Sequence, residues 1–346
     1  MSEKGRKCYK FRKANYDAIN EHLYSIDWVY MRTLSVDDAL KSLYEVLSLT
    51  IDRFVPKAIP TSKLPFWHSN ALKKTLRDKN KAKYFNSNYA ADDNTDIDIP
   101  ELINSDILHQ ISIPKIEVRK CLQKVNVIKN GGPDGIPNIF LRETALTISK
   151  PLTIIFNKSL QHGIFPDFWK TSQLVPLPKK GPKSCIENYR PICILNAFSK
   201  IFEKVVYRRV FNQVKSEIDI NQHGFFANRS VESNLLEYTH FIATALDEST
   251  EVHAIYTDFR KAFDRVNHRI LCKKLYAIGI RGKLLEWFGS YLKNRRQYVA
   301  FCGSKSESFS PSNSVPQGSI LGPLLFLIFI NDLGINFFFQ IPNVRG

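Results

Sequence analysis

The chain has 346 residues, 44% of them hydrophobic and 24% charged, a balance that excludes a disordered or fibrous polypeptide and leaves room for a sizeable core. Lysine plus arginine (49) exceed aspartate plus glutamate (33), and the resulting net charge of +16 predicts binding to a polyanion through its phosphates, with a steep salt dependence. The six cysteines, Cys8, Cys121, Cys185, Cys193, Cys272 and Cys302, make no C-x-x-C pair and have no histidine at zinc spacing, so they read as reduced thiols of an intracellular protein.

The N-terminus is charged and has no apolar h-region, so no secretory signal is expected. Ser35, with Asp38 three residues on, is a helix cap, and Leu40, Leu43, Tyr44, Leu47, Ile51 and Phe54 follow at helical spacing until Pro56 and Pro60 stop them. The basic run Lys73, Lys74, Arg77, Lys79, Lys81 and Lys83 is either a solvated helix face or a nucleic-acid contact. From Asn86 to Asp98 the chain is polar and acidic, the composition of a loop or linker. Pro114 then opens a helix with Val118, Leu122 and Val125 on one face, and Gly131-Gly132-Pro133-Asp134-Gly135 forms a turn. After a helix near Leu152 to Leu160, Gly163 and Pro166 break the chain.

Two short apolar strands, Leu174 to Leu177 and Tyr189 to Leu195, bracket a basic, Gly/Pro-rich turn, which predicts a hairpin tipped with positive charge. A long helix carries Phe198, Ile201, Phe202, Val205 and Val206, with Lys200, Lys204, Arg208 and Arg209 on its polar positions. The loop Gln222 to Ser230 leads to another helix ending near Leu246. Next, Ala254-Ile255-Tyr256-Thr257-Asp258 predicts a strand that delivers a carboxylate to its C-terminal end, before a helix with Phe263, Val266, Ile270 and Leu271 on one side. Taken alone, Asp258 is either a helix cap or a ligand for a hard cation such as Mg²⁺. Finally, Ser314-Val315-Pro316-Gln317-Gly318-Ser319 is a punctuated loop running into an apolar helix from Leu321 to Leu333. Its apolar run from Leu324 to Ile330 is far short of the ~18 residues of a membrane span.

Three blocks in this order, Asn188-Tyr189-Arg190-Pro191-Ile192, Ala254 to His268 and Ser314 to Leu333, resemble the reverse transcriptases of non-LTR (LINE-type) retrotransposons, most of all the insect jockey-like group. The resemblance runs from about Phe11 to Leu333. It implies an α+β chain with a right-hand polymerase fold, fingers and partial palm, over residues 113–346, preceded by a helical linker region over 1–90 and a polar, acidic linker over 91–112. The activity it implies is RNA-directed DNA synthesis, with an RNA template, a DNA primer, deoxynucleoside triphosphates and two Mg²⁺ ions in the complete domain. By the same resemblance, Asp258 is the first metal-binding acid and the backbone carbonyl of Phe259 an extra ligand. Lys179 or Lys180 and Arg190 clamp the triphosphate, and the backbone N–H groups of Lys261 and Ala262 face it. Phe263 falls at the sugar gate, Gln317 and Gly318 lie near the nascent base pair, and Gly135 and Arg229 lie against template or primer backbone. The bland alternatives are a core aromatic for Phe263 and a solvated hairpin tip for the two lysines.

The chain also departs from the family pattern. An aromatic-Ala-Asp-Asp hairpin belongs after the Leu321 to Leu333 helix, yet Gly334 to Gly346 contains no acid. The similar Tyr89-Ala90-Ala91-Asp92-Asp93 lacks the apolar strands that such a hairpin requires. One carboxylate cannot hold two Mg²⁺ ions in register, so this chain alone is expected to have little or no polymerase activity. The rivals are a non-catalytic nucleic-acid-binding remnant that keeps the basic surface and a gene-model fragment without a stable fold. Missing cover over Leu324 to Phe339 is expected to leave an aggregation-prone face.

Overall fold

The structure is a computed structural model that describes residues 8–58, 107–128, 131–178, 188–259, 261–301, 304–311 and 313–333. The basic run at 73–83, the Tyr89 to Asp93 stretch, Lys179, Lys180, Cys185, Cys302 and residues 334–346 lie outside the described residues.

Strand β1 (Cys8–Tyr9) pairs antiparallel with β2 (Lys57–Ala58), and between them run α1 (Tyr16–Tyr24) and α2 (Val36–Phe54). The start of α2 follows from its sequence: Ser35 Oγ accepts the Asp38 N–H at 3.1 Å and donates to the Asp38 carboxylate at 2.6 Å. Its Leu40, Leu43, Leu47 and Ile51 are buried on the face the periodicity predicts. Helix α3 (Lys115–Gln123) follows Pro114 and buries Val118 and Leu122. Then come α4 (Asn138–Glu143) and α5 (Ala145–His162), the latter ended by Gly163 in the left-handed region at φ +67°.

The hairpin is present as β3 (Thr171–Pro178) against β4 (Tyr189–Ile194), antiparallel, with Leu174 opposite Cys193 and Leu177 opposite Arg190. Beyond it lie α6 (Ala197–Val214), α7 (Val231–Asp247), α8 (His268–Ala277) and α9 (Gly282–Leu292). Strand β5 (Arg296–Phe301) adds in parallel to β3, and β6 (Ser304–Lys305) follows, giving the order β4-β3-β5-β6. The last described helix is α10 (Leu321–Ile330). Among the described residues no helix is long and apolar enough to cross a membrane.

Most of the helices share one apolar core that runs from Ile19 to Ile328, and so joins the helices before the acidic stretch to those after it, while Leu174, Cys193, Val299 and Phe309 form a smaller, separate cluster at the sheet. Its centre is aromatic. Phe202 of α6 is fully buried, stacks on Phe156 at 4.3 Å and 2°, and meets the edges of Trp169 and Trp287 at 6.2 and 5.2 Å.

Three expectations need correction. Residues 251–259 form no regular strand and join no sheet among the described residues. Their residue types suit a strand, but a strand exists only where its N–H and C=O groups find partners. After Asp258 the chain makes only a 3₁₀ turn, Ala262–Arg265, and the regular helix starts later, where the Asn267 side chain accepts the Arg269 and Ile270 N–H groups. The apolar helix at Leu321 is covered rather than exposed: Leu321, Leu324, Leu325 and Leu327 are at most 1% exposed, packed against α6 and α8. The open apolar face belongs instead to α7, where Val231, Leu236 and Leu246 are 81%, 70% and 67% exposed.

A Phe202→Ala substitution empties the middle of the aromatic cluster and should cost about 3–5 kcal/mol of stability. Leu236→Ala on the open face of α7 should change it by less than about 0.5 kcal/mol. Denaturant unfolding of the two variants checks the contrast.

Candidate functional site

The loop between β6 and α10 is fixed from several sides. The Val315 N–H donates to the Phe263 carbonyl at 2.9 Å, which ties the loop to the segment following Asp258. The Cys193 N–H, on the free edge of β4, donates to the Gln317 carbonyl at 2.8 Å. Gly318 adopts φ +115°, and a Cβ there would lie 2.5 Å from the Cys193 carbonyl oxygen, so the close approach demands glycine. One step on, the Glu203 carboxylate of α6 accepts the N–H groups of Ile320 at 2.8 Å and Leu321 at 3.3 Å. Ser319 Oγ takes the next N–H, that of Gly322, at 2.9 Å. The first turn of α10 is thereby satisfied without solvent. At the other end, His268 Nε2 lies 2.8 Å from the Ser314 carbonyl and 3.1 Å from its N–H.

Burial sets the electrostatics here. Burial pushes the pKa of the fully buried Glu203 up, while Arg295 and the two backbone N–H groups pull it back. Arg295 is 2% exposed; its Nη1 donates to the Tyr291 carbonyl at 2.8 Å and its guanidinium lies over the Tyr291 ring at 4.8 Å. Burial raises the Cys193 thiol to about 11, which keeps it protonated and inert at neutral pH. Burial also lowers the pKa of His268, against a hydrogen bond to the Ser314 backbone that raises it, so its imidazole is neutral at pH 7. A small enclosed cavity of ≈ 20 Å³ adjoins these groups, lined by Pro191, Cys193, Asp264, Gln297, Ser314 and Gln317 among others.

Of the residues the sequence singled out, Asp258, Phe259, Phe263, Gln317 and Gly318 share one region. Phe263 is half-buried and stacks on Phe326 of α10 at 5.0 Å and 18°, and Phe259 meets the same ring edge-on at 6.2 Å. Phe263 thus contributes to the packing and still presents part of its ring. Asp258 is exposed. Lys261 is left-handed at φ 57°, and with Ala262 it opens the short 3₁₀ turn rather than a long helix. Arg190 is exposed, and strand alternation puts it with Leu177 and Ile192 on the face of the hairpin opposite to Cys193. Two residues lie elsewhere in other roles. Gly135 closes its own turn at φ +75°, anchored where the Tyr44 hydroxyl donates to Asp134 at 2.7 Å. Arg229 spends its guanidinium on its own loop, donating to the Asp219 and Gln222 carbonyls at 3.2 and 2.8 Å over the Phe226 ring.

Sequence reasoning missed Glu203, Arg295 and the His268 contact. For Glu203 a signal existed: it lies at helical spacing with Ser199, Val206 and Val210, all buried in α6. Among the described residues no group of three His, Cys, Asp or Glu side chains could hold an ion.

Residues 177–337 match the family profile described as reverse transcriptase (RNA-dependent DNA polymerase). The chain is 33% identical over 224 residues to the probable RNA-directed DNA polymerase from transposon BS of Drosophila melanogaster, an alignment covering 63% of this chain and 24% of that protein. It is 30% identical over 228 residues to the corresponding protein of transposon X-element, with the same coverage of 63% and 24%. To the RNA-directed DNA polymerase from mobile element jockey it is 29% identical over 220 residues, again 63% and 24%. The chain therefore spans about a quarter of the length of these relatives.

Gly318→Ala should destabilise the chain by at least about 1–2 kcal/mol through left-handed strain alone, before the clash with Cys193 is counted. A lowered melting temperature together with faster labelling of Cys193 by a thiol reagent checks it. For His268 the sign follows from its depressed folded-state pKa. The unfolded chain binds the proton first, so stability is retained above about pH 6.5 and falls as the pH drops below it. Between pH 7.5 and 5.5 the wild-type chain should lose more stability than His268→Gln, as melting curves would show.

Proposed function

We propose, for a chain that carries reverse transcriptase sequence of the jockey-like non-LTR retrotransposon kind, that residues 171–333 form the nucleotide-selecting face of an RNA-directed DNA polymerase. The observation that carries this reading is the pair of backbone hydrogen bonds, Val315 to Phe263 and Cys193 to Gln317. They draw the acid-bearing segment, the Pro-Gln-Gly loop and the β3–β4 hairpin into one place. In this reading the hairpin belongs to the fingers of a right-hand fold, and α8, α10 and the 251–265 segment belong to the palm.

The partners are an RNA template, a DNA primer and deoxynucleoside triphosphates. Phe263, backed by Phe326, forms a wall under the sugar that excludes a 2′-hydroxyl by size. Gln317 offers an amide with both donor and acceptor near the base pair. Exposed Arg190 grips phosphate oxygens bidentately, aided by Lys179 and Lys180 as point charges and by the Lys261 and Ala262 N–H groups. Asp258 and the Phe259 carbonyl would hold Mg²⁺, whose charge would favour phosphoryl transfer. The Gly135 turn lies nearest to the template. Arg229 is left out of this reading, because its own loop uses its donors.

For the 346 residues by themselves a second reading is favoured by one observation: among the described residues no group of three His, Cys, Asp or Glu side chains is placed to hold a metal ion. In that reading the chain binds a primer–template duplex without extending the primer. Primer extension on an RNA template with Mg²⁺, beside an Asp258→Ala control and a binding titration at rising salt, separates the two. The expected outcome is no incorporation, with duplex affinity that falls steeply as salt rises. Incorporation that vanishes in the control would sink the single-carboxylate reading. Absence of salt-sensitive binding would sink the nucleic-acid reading altogether.

A further inference from the structure

We infer that Glu203 is the positioning residue of the Gln317 loop, a buried carboxylate on α6 that fixes where Gln317 stands by holding the first N–H groups of α10. Its bearing on nucleotide selection rests on the reading proposed above, while the anchoring stands on geometry alone. Glu203 is 0% exposed, and its oxygens are taken up by Ile320 N–H at 2.8 Å, Leu321 N–H at 3.3 Å and the Ser199 hydroxyl at 3.2 Å. Ile320 stands three residues after Gln317, and the chain between them carries the strained Gly318.

Helix α10 cannot anchor itself in this way. Its first turn contains no acidic residue, and Ile320, at the cap position, has no side-chain acceptor to offer. Ser319 satisfies only the Gly322 N–H. A buried carboxylate is tolerated where its oxygens are paired, and a negative charge is favoured at the positive end of a helix dipole. The oxygens of Glu203 are paired at such a helix end, and Arg295 favours the ionised form against burial, which raises the pKa. An apolar residue at 203 would leave two N–H groups at the buried start of a helix without acceptors. The loop then keeps its contacts to Phe263 and Cys193 but loses its hold on the third side. Because contacts to a reacting substrate tolerate errors well under 1 Å, Glu203 governs Gln317 without touching a ligand.

Backbone amide exchange of the full chain, resolved at Ile320 and Leu321, tests the anchor directly. Glu203→Ala should accelerate exchange at these two amides by about tenfold or more, the effect expected when a charged acceptor is lost. Glu203→Gln keeps one carbonyl oxygen and should fall between, while the amides of α2 and α5 stay as in the wild type. If the alanine variant fails to fold, the glutamine variant carries the test. Unchanged exchange at Ile320 and Leu321, or equal acceleration in every helix, overturns the inference. A second arm titrates a fluorescent thymidine triphosphate with Mg²⁺. Binding should weaken severalfold in Glu203→Gln, whereas Gln317→Ala should weaken binding without altering exchange. A variant whose loop has loosened yet binds as the wild type does breaks the link from Glu203 to Gln317. A wild-type chain that binds no nucleotide refutes the nucleotide reading of the loop, and the exchange arm still decides the anchor.

Discussion

Two neighbouring residues of α6 hold the two halves of the structure. Phe202 lies in the aromatic cluster with Phe156, Phe165, Trp169 and Trp287, which joins α5, α6 and α9 into one core. Glu203, the next residue, turns to the start of α10 and takes two of its N–H groups. Consecutive side chains on a helix diverge by about 100°, so one short stretch serves an apolar neighbour and a polar one at once. The loop that carries Gln317 is therefore tied to a helix that is itself anchored in the aromatic cluster.

The 49 lysines and arginines are less available than their count suggests. Arg209 pairs with Glu117 at 2.8 Å, Lys274 with Asp332, and Lys170, itself nearly buried, with Asp167 at 2.8 Å. Arg208 donates to Cys121, Arg229 serves its own loop, and Arg295 is buried. Several of the arginines most conspicuous in the sequence thus stabilise the fold. Polyanion binding has to draw on the exposed cations that remain, Arg190 among them, and on long-range potential.

Much of the fold could be read ahead because its signals are local. The Ser35 cap, the start after Pro114, the break at Gly163 and the two arms of the hairpin each depend on a few adjacent residues. What could not be read depends on partners distant in sequence. Ala254 to Asp258 has the composition of a strand, but pairing decides whether it is one. The face on which Arg190 stands depends on register, in which one residue reverses every side chain. Glu203 was overlooked because charged residues at helix positions are ordinarily counted as solvent-facing, although its spacing from Ser199, Val206 and Val210 already placed it inside. Gly318 was legible as a position of close approach, but the sequence could not tell that the neighbour is the Cys193 carbonyl.

The site is consequently uneven. Gln317 and Phe263 rest on backbone hydrogen bonds to buried elements and on a stacked ring, which are the supports that hold a group within the tolerance chemistry requires. Asp258, a few residues before Phe263, stands exposed on a segment whose neighbours Ile255 and Tyr256 are 75% and 82% exposed. Binding a nucleotide demands mainly the first set, because shape and a few hydrogen bonds suffice for recognition. In-line transfer demands the second as well, since a metal held by a loosely supported carboxylate cannot keep attacking and leaving oxygens aligned. On the function proposed above, selecting a nucleotide and joining it would draw on unequal supports, and the difference lies in how many buried partners each half of the site has.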